Sequence, residues 1–224
     1  MTTGEVPLER MESMTERAFW EASWRQVDPA RIAACAAASG DPGDDALLAR
    51  LRERGAVSVC DAGCGCGLCA LKLAAGGFQV SGFDLSAEAV KLAKALLRER
   101  GYPAADFRRA DVRASGFPAG AFDAVLAREV LDHLPVREAR EALAELLRIL
   151  RPGGCLLLSL DETDEEYEAE PHRVSPEGDY IYTAGKWKGM VFHPYSPTEI
   201  EKLTRGHGAR LLPAKHGFAV LIEK

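Results

Sequence analysis

The chain has 224 residues, 47% of them hydrophobic, which is enough for one α/β domain with a substantial core. A net charge of −6, from 28 basic and 34 acidic residues, argues against general nucleic-acid binding, which is driven by phosphate neutralisation. No apolar run is long enough to span a bilayer, the opening MTTGEVPLERME does not read as a signal peptide, and the crowding of four cysteines between 60 and 69 is unlike a secreted disulfide framework, so a reduced, cytoplasmic protein is expected.

Residues 8–24 have helical periodicity, with Leu8, Met11, Ala18, Phe19 and Ala22 on one face and Trp20 and Trp24 together on another side. Asp28-Pro29 is a helix start for the Ala-rich segment to Ala38, Ser39–Gly43 is a turn, and DDALLARLRERG predicts a third helix ending at Gly55. Residues 1–55 are therefore expected to form a helical cap on a domain spanning 56–224, not a domain of their own.

The informative stretch comes next. Val57-Ser-Val alternates as a strand, Asp61 ends it, Gly63, Gly65 and Gly67 form a turn, and LCALKLAA resumes as helix. Strand, glycine turn and helix open a βαβ unit that lets a ligand approach the backbone closely. The pattern D-x-G-x-G-x-G is not a dinucleotide fingerprint, because the third small residue of G-x-G-x-x-G/A would fall on Leu68. No G-K-S/T follows, so it is not a phosphate-cradling loop either. A carboxylate in the loop repels a pyrophosphate and suits a cation.

Phe78–Phe83 reads as a second strand ending at Asp84, and Ser86 caps a helix carrying Val90, Ala93 and Leu97 on one face. Ala105–Ala110 is a weaker third strand followed by Asp111, and Phe122–Ala127 a fourth. Residues 137–150 are an amphipathic helix stopped by Pro152-Gly-Gly154, and Cys155–Leu160 has the apolar run of a strand covered on both faces. The alternation implies a doubly wound, mostly parallel sheet with helices on both faces. From Asp161 the rhythm changes: DETDEEYEAE reads as a solvated acidic loop, and Tyr180–Thr183 with Trp187–His193 as a β-hairpin. Residues 161–195 are thus an insertion, followed by a short helix from Ser196 and two closing strands, ARLLPA and HGFAVLIEK.

VCDAGCGCG, VSGFDLS, RRADVRASGFPAGAFDAVLAREVLDHL and LLRILRPGGCLLLS, in this order, resemble the successive motifs of the class I S-adenosylmethionine-dependent methyltransferases over about residues 56–160. The resemblance implies a Rossmann-like sheet of seven strands, the last inserted antiparallel, with S-adenosylmethionine as cofactor and S-adenosylhomocysteine as product. Carried over, Asp61, Gly63, Cys64 and Gly65 would line the methionine part, Asp84 and Leu85 the ribose, Asp111 and Val112 the adenine, with Arg128 beside the methionine end. The chain lacks the N/D-P-P-Y/F tetrapeptide of base- and amide-nitrogen methyltransferases, reading AREV instead, so the acceptor implied is a small molecule. His133, His193 and Tyr182 are the preferred catalytic or pocket groups, with Glu129 a further candidate base. A non-catalytic cofactor-binding protein of the same fold is the alternative, with a nucleotide-dependent oxidoreductase and an aminopropyl transferase behind it. Cys60, Cys64, Cys66 and Cys69 could suggest a metal or redox centre, but metal in the loop would block the site the glycines create, so no metal is expected.

Overall fold

The computed structural model describes residues 8–37, 42–102, 106–212, 214 and 216–224. Three helices come first: α1 (Leu8–Arg25), α2 (Pro29–Ala37) and α3 (Pro42–Glu53). Asp28 caps α2 as its sequence predicts, its Oδ1 accepting the Ala30 N–H at 2.9 Å. Most of the turn expected at Ser39–Gly43, the side chains of Leu8 and Met11, and Ala105 lie outside the described residues.

The sheet strands and their helices follow: β1 (Ser58–Ala62), α4 (Leu68–Ala75), β2 (Gln79–Asp84), α5 (Ala87–Glu99), β3 (Phe107–Arg109), β4 (Phe122–Arg128), α6 (Val136–Ile149) and β5 (Leu150–Leu160). Further on come α7 (Glu165–Ala169), β6 (His172–Val174), β7 (Tyr180–Tyr182), β8 (Val191–Phe192), α8 (Pro197–Leu203), β9 (Arg210–Leu212) and β10 (Phe218–Glu223). The main sheet has seven strands in the order β3-β2-β1-β4-β5-β10-β9. β1 to β5 pair in parallel, while β10 pairs antiparallel with both β5 and β9. This is the doubly wound seven-stranded sheet, with its last strand inserted antiparallel, that the family resemblance implies.

Alternation along β1 divides the core in two. Cys60 and Ala62 pack with Leu143 and Leu146 of α6 and Ile200 of α8 on one face. Val59 packs with Ala70 and Leu73 of α4, Val90 and Leu97 of α5 and Leu51 of α3 on the other. Both faces of the sheet are covered, which is why the central residues of β4 and β5, Ala124–Ala127 and Cys155–Leu158, are apolar without alternation.

Three expectations are corrected. Pro152-Gly-Gly154 does not separate helix from strand: β5 starts at Leu150, and its register against β4 shifts between Phe122↔Leu150 and Ala124↔Cys155. Gly153 adopts φ 77° there, a bulge geometry that accommodates a proline without an N–H to pair. The acidic tract is not all loop, because Asp164 accepts the Glu166 and Tyr167 N–H groups at 2.8 and 2.9 Å and starts α7. The expected hairpin is present as β7 and β8, but β6 extends it to a three-stranded sheet, and Trp187 lies in the turn between β7 and β8 and not in a strand.

Candidate active site

A cavity of about 430 Å³ lies across the carboxyl ends of β1 to β4, the place where an open α/β sheet binds its ligand. Strand order lays out its floor: Asp111 follows β3, Asp84 ends β2, Asp61 sits near the end of β1, and Arg128 ends β4. All four line the cavity, as do Gly63, Cys64, Gly65, Leu85, Val112 and His133.

Asp61 is 2% exposed, and its Oδ2 has no hydrogen-bond partner. Burial pushes its carboxyl up to about 7, against the opposing pull of Arg128 and the Ala70 N–H. Asp84 is better satisfied. Its Oδ2 accepts the Gly65 N–H and its Oδ1 the Ser86 N–H, each at 2.9 Å. Burial raises this carboxyl, and those two N–H groups oppose the rise. The glycine loop is closely covered: a Cβ on Gly65, at φ 50°, would stand 2.9 Å from the Trp24 ring.

Asp111 is engaged by Arg113, whose Nε donates to Oδ1 at 2.8 Å and whose Nη2 donates to Oδ2 at 2.5 Å. Burial raises Asp111, but these bonds outweigh it and hold the carboxyl below its usual range. Beyond β4 the backbone is strained, with Glu129 in the left-handed region at φ 54°. One turn of 3-10 helix, Leu131–His133, then brings His133 to the cavity wall. Its Nδ1 lies 3.3 Å from the Val191 carbonyl, an acceptor that fixes the proton on Nδ1 and leaves the Nε2 lone pair available. The ring meets the edge of Trp20 at 4.9 Å between centroids.

The other two expected catalytic groups are elsewhere. His193 and Tyr182 are 1% and 2% exposed and do not line the cavity. His193 Nδ1 pairs with Asp179 at 2.9 Å, and the Tyr182 hydroxyl donates to the Tyr167 carbonyl at 3.0 Å. Alternation in so short a sheet turned these polar tips into its interior. Cys60 lies in β1 as core, while Cys64, Cys66 and Cys69 line the cavity around the loop.

The residue missed by sequence reasoning is Glu16 of α1. With Trp20 and Trp24, a pair that could be read from sequence either as core packing or as closing over a ligand, it forms one wall of the cavity at spacing i, i+4, i+8. On the neighbouring side of α1, Glu21 Oε2 accepts from the Ser86 hydroxyl at 2.7 Å and the Ala87 N–H at 2.8 Å. Glu21 thus caps α5 from another helix, and the Ser86 bond is the main cause holding its carboxyl below the usual range.

Residues 59–154 match a family model described as a methyltransferase domain. The ubiquinone biosynthesis O-methyltransferase of Xanthomonas axonopodis pv. citri is 39% identical over 114 residues, 50% of this chain and 46% of that protein. Trans-aconitate 2-methyltransferase of Azoarcus sp. is 36% identical over 147 residues, 65% of this chain and 52% of that protein. The chain thus spans about half the length of the curated relatives it matches. A solved structure of Burkholderia thailandensis 1,6-didemethyltoxoflavin-N1-methyltransferase, with that substrate and S-adenosylhomocysteine bound, superimposes with a TM-score of 0.66. It covers 100% of this chain and 93% of the other at 21% identity, a likeness of fold.

Proposed function

We propose that this chain, whose methyltransferase domain has the class I S-adenosylmethionine-dependent architecture, transfers the methyl group of S-adenosylmethionine to a small-molecule acceptor. The observation that carries this reading is the buried, unpartnered Oδ2 of Asp61 at the glycine loop. A lone carboxylate oxygen is costly inside a protein unless a ligand completes it, and an ammonium group does so. Asp61, Gly63, Cys64 and Gly65 hold the methionine portion in this assignment, with Arg128 alongside. Asp84 and Leu85 hold the ribose, and Ala110, Asp111 and Val112 frame the base. The assignment follows strand order, since a long ligand across β4, β1, β2 and β3 meets the strand ends in that sequence.

The bound cofactor supplies an electrophilic methyl on a sulfonium. The chain's work is to bind, align and exclude water. His133 is the base of the proposed mechanism: its Nε2 would take and hold the proton of an acceptor hydroxyl, while the bound cofactor would supply the methyl group and leave as S-adenosylhomocysteine. With the proton on Nε2, the ring keeps its Nδ1–H on the Val191 carbonyl. His193 and Tyr182 serve to hold the insertion together. Residues 1–55 act as a cap within the same domain, and residues 161–195 as its acceptor side.

No described helix is long and apolar enough to cross a membrane. The reading places the protein in the cytoplasm, in keeping with its free cysteines, with a small molecule and not nucleic acid as partner. Calorimetric titration with S-adenosylmethionine and S-adenosylhomocysteine, with NAD as control, tests the cofactor. Release of S-adenosylhomocysteine across a panel of phenols, carboxylates and amines then tests transfer. Binding of neither adenosyl ligand would overturn the proposal, and binding without release on any acceptor would favour the non-catalytic alternative.

A further inference from the structure

Glu16 is a cavity carboxyl supplied by the first helix and not by a strand or strand end. It comes from α1, is 5% exposed, and shares the corner beyond β3 with Asp111, Arg113 and Arg17. The Asp111 carboxylate cannot serve a ligand freely, because Arg113 occupies both its oxygens through Nε, Nη2 and its own backbone N–H. Arg113 is directed away from Glu16 as well, its Nη1 donating to Glu138 on α6. Leu85, Ala110 and Val112 are among the cavity's apolar lining residues. A buried carboxyl in such a cavity suits a heterocycle that carries polar atoms on one edge.

We propose that Glu16 reads the 6-amino edge of the cofactor's purine, its carbonyl oxygen accepting from the amino group and its O–H donating to N1. This rests on the cofactor assignment above and adds a residue of base specificity to it. The pair needs a neutral carboxyl, and burial supplies one, pushing Glu16 up to about 7 while Arg113 and Arg17 pull it down and Asp111 pushes it further up. An adenine base presents donor and acceptor side by side, so a carboxylic acid meets both in one plane, as a carboxamide also does. Since Glu16 belongs to the wall formed by Trp20 and Trp24, the contact also ties the cap to the ligand.

The test is a cycle of two ligands and three proteins. S-adenosylhomocysteine and its 6-deamino analogue are titrated into wild type, Glu16→Leu and Glu16→Gln. The wild type is expected to prefer the 6-amino ligand by about tenfold, the value of one or two buried hydrogen bonds. Glu16→Leu fills the same space and should bind both ligands alike, while Glu16→Gln should restore the preference. A purely structural role for Glu16 would lower both affinities together and leave the ratio untouched. Equal binding of the two ligands by the wild type, or a full preference retained by Glu16→Leu, would overturn the inference while leaving the cofactor assignment intact. Failure of the wild type to bind S-adenosylhomocysteine at all would instead strike the assignment itself. Equal binding of the two ligands by the wild type overturns the inference even where a variant fails to fold.

Discussion

Ser86 is held from two directions at once. Its N–H is bound by Asp84 and its hydroxyl by Glu21, so the carboxylate at the end of β2 and α1 meet on a single residue. Asp84→Ala therefore removes the proposed ribose contacts and leaves the Gly65 and Ser86 N–H groups without their acceptor. It should weaken S-adenosylhomocysteine binding by about 1.5–3 kcal/mol, the worth of a hydrogen bond to a charged group. Calorimetry measures this directly, and an unchanged affinity would remove Asp84 from the ribose. His133→Asn acts at the other end of the cavity. Its amide nitrogen stands where Nδ1 did and can donate to the Val191 carbonyl, but the side chain has no basic nitrogen, so kcat should fall by about 10²–10⁴ with cofactor affinity retained. Equal turnover by the variant would show that the acceptor reaches the site already deprotonated. The acids Asp61, Asp84 and Asp111 were legible in the sequence, because each lies at or just beyond the end of a recognisable strand, and strand ends converge in this fold. Glu16 was not legible, because helical spacing shows that residues share a face without showing what that face meets. His193 and Tyr182 misled for a related reason: in strands of two or three residues, nothing in the pattern says which side is interior.

At the scale of elements, α1 is fastened to α5 by a carboxylate at a helix start. Glu21 does for the first turn of α5 what a local cap does for an ordinary helix, and Ser86 adds its own bond to the Ala89 N–H at 3.2 Å. Glu21→Gln removes the charge that favours this end of the helix and weakens the bonds to Ser86 and Ala87. The expected cost is about 0.5–2 kcal/mol, the range for losing a cap. It should show as faster amide exchange in α1, with a several-fold loss of cofactor affinity, because α1 supplies a cavity wall. Unchanged exchange in α1 would mean that Trp20 and Trp24 hold the cap without the latch. The long elements were readable from periodicity, and their caps at Asp28, Ser86 and Ser196 were readable from residue type. The short ones in residues 161–195 were not. α7 is a five-residue helix with no buried residue, started by Asp164 within a run of acids. β6 is a three-residue strand defined by pairing with β7 rather than by its own composition.

For the molecule as a whole, the cavity is a place where stability is given up. Burial pushes Asp61 and Glu16 up to about 7 and Asp132 to about 6. Each carboxyl therefore has a folded-state value above its unfolded one. The native state then binds more protons than the unfolded state through the interval between the two, so stability falls as pH rises there. The protonated forms contribute fully below about pH 4, and that contribution is lost by the time the pH has passed about 7 for Asp61. Paired carboxylates such as Asp179, held below the usual range by His193 against its own burial, contribute in the opposite sense and are lost on acidification. Asp61→Asn isolates the first effect. The amide keeps the shape and can accept the Ala70 N–H, but it never carries a charge into the core. The free variant should gain on wild type in thermal midpoint at pH 8, and the gain should shrink towards pH 5, where wild-type Asp61 is protonated. The same variant should bind S-adenosylhomocysteine far more weakly, since an amide offers the ligand's ammonium no charge. Thermal scans at the two pH values, with and without ligand, measure both. A variant less stable than wild type by the same amount at both pH values would show that Arg128 fully compensates Asp61 in the free protein. The carboxylate would then be part of the scaffold, and the ligand's ammonium would have to be held elsewhere along the loop.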